Sequence, residues 1–150
     1  MSITSSYLRF IEVIRETFPA NERHELTNPY ILDDNAEPIV ATGWGAALLS
    51  STNLKRTVGC LYTLGRDVEV VLTNLVVSKD RDMARRQAVE ALLMEDQIRL
   101  ISAIDSDGDL NDLLAKNDFI GDNGIEFVFT EKHNYVSLVS TWNIEYHQKI

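Results

Sequence analysis

Three aspartates in "DSDGDLNDLLAK", Asp105, Asp107 and Asp109, stand at the alternate spacing with which an EF-hand loop presents oxygen ligands to Ca²⁺. The remaining positions fail the pattern. The sixth, where Gly makes the sharp turn, is Leu110, and the twelfth, where a bidentate Glu closes the shell, is Lys116. The stretch reads instead as a solvated turn in which Asp109 caps a short helix over 110–116. A second imitation is "GWGAAL", Gly43 to Leu48, which has the opening of a dinucleotide-binding glycine fingerprint. Its sixth position is Leu48, and "SSTNLKR" after it is a turn, without the crossover helix that would hold a pyrophosphate. The glycines read as a bulge or a close backbone approach beside Trp44.

His24, His133 and His147 stand apart from one another and from Cys60, which sits in an apolar run. None has a metal-ligand or nucleophile partner at a recognisable spacing. No G-x-S-x-G and no Lys-bearing phosphate loop occurs. A carboxylate pair assembled in space from distant residues leaves no such mark. The sequence therefore assigns no catalytic, cofactor or metal residue, and no enzyme is expected.

One charge cluster runs against an acidic background: Lys79, Arg81, Arg85 and Arg86, at the start of a helix. Cations there oppose the helix macrodipole, so local stability does not call for them. Two readings stand: a contact patch for an acidic neighbouring subunit or partner, or a solvated face balanced by Asp80, Asp82 and Glu90.

The elements that carry these residues follow from periodicity. In "SYLRFIEVIRETF", Tyr7, Phe10, Ile11, Ile14 and Phe18 recur at helical spacing, with Ser5 as N-cap and Pro19 as stop. From Pro19 to Pro38 no period holds, so a long connection is expected, either a contact arm or a surface loop pinned by Tyr30. Three strands follow, over 39–50, 56–64 and 67–78, with Gly65-Arg66 as a tight turn between the last two. The third strand is apolar on both faces. A helix over 82–104, capped by Ser78 or Asp80, places Ala84, Ala88, Ala91, Leu92, Ile98 and Ile101 on its apolar face. "IEFVF" returns to strand. The last segment, from Tyr135, alternates Val136, Leu138, Ser140, Trp142, Ile144 and Tyr146 against a more polar set. Such a strand needs neighbours, either within the chain or at the sheet edge of another copy. The sum is one α+β domain over 1–150: two main helices on one face of a mainly antiparallel sheet of four to five strands.

Composition narrows the function classes. With 150 residues, 45% apolar and 25% charged, the chain has the makeup of a globular domain. A single cysteine and no charged-then-apolar stretch at Met1–Ser6 argue against a secreted disulfide scaffold. No charge-free run reaches the ~20 residues of a membrane-spanning helix. A net charge of −9 disfavours adhesion to nucleic acid, although an acidic wall can border DNA without holding it.

In this order of elements, from "SYLRFIEVIRETF" through the strands and the helix after "VVSKDRD" to "SLVSTWNIEYHQ", the chain resembles the tail terminator, or tail completion, proteins of long-tailed bacteriophages. The resemblance is one of layout and length over nearly the whole chain. It implies a virion protein, assembled in the host cytoplasm, that forms a homohexameric ring and caps the tail tube. Such a ring stops tail polymerisation and presents a surface to the head completion or connector protein, while DNA passes through the lumen. It implies no catalytic residue and no cofactor. Another neck connector or minor tail protein is the nearest alternative, and a small α+β enzyme the more distant one.

Overall fold

The computed structural model describes residues 3–26, 42–56, 61–76, 83–129 and 134–149. Helix α1 spans Ile3–Thr17, strand β1 His24–Glu25, β2 Gly43–Arg56 and β3 Leu61–Val76. Helix α2 spans Met83–Ser106, α3 Gly108–Leu113, β4 Lys116–Phe129 and β5 Asn134–Lys149. The five strands form one sheet in the order β1-β2-β3-β5-β4, antiparallel throughout except for the short parallel pair β1 and β2. The fold is α+β as expected, with the helices on one face.

That face is dictated by the period of two. Val68, Val70 and Leu72 of β3 stand opposite Trp142, Ser140 and Leu138 of β5, and all six are buried. Onto the apolar members of that row α1 lays Phe10, Val13 and Ile14, Phe18 follows just past its end, and α2 lays Leu93, Leu100 and Ile104. Each such side chain contributes on the order of 1.5–3 kcal/mol by leaving water. β5 is central, paired with β3 along its whole length and with β4 on the other side. Its alternation is thus held by neighbours within the chain.

Several boundaries differ from the sequence reading. Gly65 and Arg66 do not turn: they continue β3, where Gly65 pairs with Thr52 and Glu145. With strands on both sides, Gly65 is an extended residue in a central strand, and the link between β2 and β3 falls at 57–60, outside the described residues along with Val58 and Cys60. α1 begins before Ser5, which is therefore inside the helix. Asp107, rather than Asp109, caps α3, its carboxylate accepting from the Leu110 amide at 3.0 Å. The long connection contains β1, beyond which residues 27–41 lie outside the description, as do the proposed caps Ser78 and Asp80 and the histidine His133.

The apolar face of α2 also differs. Leu93, Leu100 and Ile104 enter the core, whereas Ala88, Ala91, Leu92 and Ile98 face solvent. Leu93, Leu100 and Ile104 are seven and four residues apart and Ala88, Ala91 and Ile98 three and seven, all helical spacings, so spacing alone does not choose between them.

Candidate assembly surfaces

The residues with chemical potential are spread through the fold and serve mainly to hold it. His24 lies in β1, and His147 is exposed on β5, where its Nδ1 stands 3.0 Å from Thr63 Oγ1. Asp105 ends α2, exposed. Asp107 is instead the partner of Arg9, whose Nη2 and Nε donate to its two oxygens at 2.6 and 3.0 Å. Hydrogen bonding from Arg9 holds the Asp107 carboxyl below its ordinary range against the opposing effect of desolvation, and the Leu110 amide helps. Glu12 and Glu16 of α1 and Asp109 also lie within 4 Å of that guanidinium. Asp107, with Asp109 at 3.8 Å from the same guanidinium, thus docks the start of α3 onto α1. Among the described residues no three His, Cys, Asp or Glu side chains gather as a metal site.

A buried arginine that the sequence does not flag ties the helices to the sheet. Arg23 donates through Nη1 to the carbonyls of Gly43 and Thr73 at 3.2 and 2.8 Å, and through Nη2 and Nε to Asp96 of α2 at 2.7 and 3.1 Å. Its guanidinium lies over the Phe18 ring at 5.5 Å. Gln97 makes the matching link on the other side of α2, donating to Ser140 and Asp122. "GWGAAL" lies in β2, and Gly43 is a point of close approach: a Cβ there would stand 2.5 Å from the His24 carbonyl oxygen.

Of the basic cluster, Lys79 and Arg81 fall outside the described residues, and Arg85 lies in the first turn of α2. Arg86 is engaged within the chain: its guanidinium sits 4.2 Å over the Phe127 ring of β4 and pairs with Glu90 at 3.1 Å.

Three surfaces of the described residues are candidates for contact with a partner. The first is the sheet's pair of edges. β1 covers β2 only at Gly43 and Trp44, and β4 pairs on one side only, so among the described residues Gly45–Arg56 and Lys116–Phe129 have no strand on their outer sides. Register shifts in β2 and β4 make both edges irregular. The second is the sheet face turned from the helices, where Asp118 and Glu126 are exposed and Asp67, Glu69 and Lys116 stand on the same side, although Val71 and Thr73 there are buried. The third is the outer side of α2, where Leu92, Met94 and Ile98 are 53%, 54% and 63% exposed. A helix that is apolar on two sides gives weak amphipathic contrast, which is why periodicity assigned its core face wrongly.

No family model and no curated protein matches this chain. None of its described helices is long and apolar enough to cross a membrane.

Proposed function

We propose that this protein is a structural subunit that works by self-association, as a ring of the tail-terminator kind. Copies join through their sheets into a closed ring, expected to be a hexamer, that sits on the end of a phage tail tube. The ring halts tail growth and meets the head completion or connector protein, so that the subunit's place is the virion neck. The reading assigns no catalytic residue and no cofactor.

The observation that carries it is that, among the described residues, two different strands of one sheet, β2 and β4, have long outer edges with no strand paired to them. An edge presents a row of unpaired amides and carbonyls to another chain. Two unlike edges make a head-to-tail contact, which closes into a ring when the rotation between copies allows. The irregular register of both edges limits which partner fits, as a closed assembly requires. The carboxylates of the outer sheet face and the net charge of −9 suit a wall past which DNA slides without adhesion.

Negative-stain images of the purified protein, alone and with tail tubes, test the reading. Rings, or tubes capped at one end and shorter in its presence, are the expected result. Light scattering that reports a strict monomer even with tail-tube protein added sinks it.

A further inference from the structure

We propose that α2 also pairs with the α2 of a second copy, antiparallel, through a seam formed by Gln87, Ala91, Met94, Ile98, Ile101 and Asp105. This contact is distinct from the edge contact of the ring, because it is isologous and closes at two copies. Within a ring it joins one ring to another.

The seam is visible as a spacing. From Gln87 the steps to Ala91, Met94, Ile98, Ile101 and Asp105 alternate four and three, the period at which one helix meets another along a line. Val89, Leu93, Leu100 and Ile104 face the core, and Ile101, between that line and the seam, packs partly against it as well. On the outer line Met94 and Ile98 are more than half exposed and Ile101 is half-buried. Met94 and Ile98 lie one turn apart and form a continuous apolar strip.

Charge selects the occupant and its direction. Over 83–94 the helix carries Arg85 and Arg86 against Glu90, and over 95–106 it carries Arg99 against Glu95, Asp96 and Asp105. Arg86 is paired with Glu90, Asp96 with Arg23 and Arg99 with Glu22 within the chain, so what remains is Arg85 toward one end and Glu95 and Asp105 toward the other. A second α2 laid antiparallel sets unlike ends and opposed macrodipoles together, whereas a parallel copy sets like against like. In the antiparallel register that matches the apolar positions, Met94 stands opposite Ile98 of the second copy, Ala91 opposite its Ile101, and Gln87 opposite its Asp105. Glu95, beside the seam, then approaches its own counterpart near the two-fold axis. Repulsion there weakens the pair. The interface is small, so the pairing belongs among weak, concentration-dependent contacts.

Sedimentation velocity of the full chain over increasing concentration tests this. The unaltered protein shows a concentration-dependent doubling of mass, from monomer to dimer or from ring to paired rings. Ile98→Glu raises the dissociation constant by at least about tenfold, because it places a charge in the seam, while its melting temperature stays unchanged since Ile98 is 63% exposed. Glu95→Gln lowers the dissociation constant, an effect that a fold-stability role for Glu95 would not produce. Direction is read by cross-linking in a Cys60→Ser background: Met94→Cys chains mixed with Ile98→Cys chains link between the two kinds faster than within either. A wild-type mass that does not double at any concentration, an Ile98→Glu protein that pairs normally, or preferential linkage of Ile98→Cys to itself overturns the proposal.

Discussion

Phe10 of α1 meets the indole of Trp142 in β5 edge to face, with ring centroids 5.8 Å apart and planes at 75°. Phe119 of β4 makes the same kind of contact from the other side, at 5.1 Å. A fully buried indole thereby joins the first helix, the central strand and an edge strand at one point. Trp142→Ala is expected to cost roughly 3–5 kcal/mol of unfolding free energy, since it removes the transfer energy of the ring and leaves a cavity that three elements must collapse to fill. Urea unfolding followed by circular dichroism measures it, and a loss under about 1 kcal/mol would mean that the indole is not in the core.

The Arg9–Asp107 pair makes stability depend on acid. The folded-state pKa of Asp107 is depressed by Arg9, so its contribution is present above the unfolded carboxyl pKa and is lost as pH falls through the folded one. Unfolding experiments across the acid range should show Asp107→Asn with a shallower loss of stability on acidification than the parent, and lower stability near neutrality. If the two profiles run parallel, the bidentate contact contributes nothing that titrates.

Much of this fold was legible from the period of two. Val136 through Tyr146 announced which side of β5 is inside, and Val68, Val70 and Leu72 did so for β3, because a half-buried strand must alternate. Gly65-Arg66 misled for a physical reason: glycine is common in turns, but here strands on both sides hold it extended, and tertiary pairing overrides local preference. The face of α2 was ambiguous because the helix has two apolar lines, only one of which the monomer fills. Arg23 was invisible, since nothing local in "NERHEL" shows that its guanidinium will be 3% exposed and bound to carbonyls 20 and 50 positions away. Asp107 drew notice for the wrong chemistry: its spacing suggested a cation, and the cation it meets is the guanidinium of Arg9.

Gly43 gives a test of the β1–β2 junction. An added Cβ would meet the His24 carbonyl oxygen at 2.5 Å and the Leu26 side chain at 2.9 Å, and the first of these is backbone that cannot step aside cheaply. Gly43 also supplies the carbonyl that Arg23 binds, so a shift of β2 strains that contact as well. Gly43→Ala should destabilise by about 1–3 kcal/mol, the usual cost of overpacking, as measured by the midpoint of urea unfolding. An unchanged midpoint would show that β1 can move away without loss.

The basic cluster separates into members with different expected behaviour. Arg86 stacks on Phe127 and pairs with Glu90, so Arg86→Glu removes a cation–π contact and sets two carboxylates one helical turn apart; it should lower the melting temperature. Reversal of Arg81 and Arg85 together to Glu should leave melting unchanged and weaken assembly, whether read as fewer rings in negative stain or as poorer capping of tail tubes, if the contact-patch reading of the cluster holds and those charges meet an acidic neighbour. Greater sensitivity of the wild-type assembly to salt than of the doubly reversed variant would accompany this, since exposed charge pairs are screened. Equal assembly and equal melting for the double variant would return Arg81 and Arg85, with Lys79 beside them, to the role of a solvated surface.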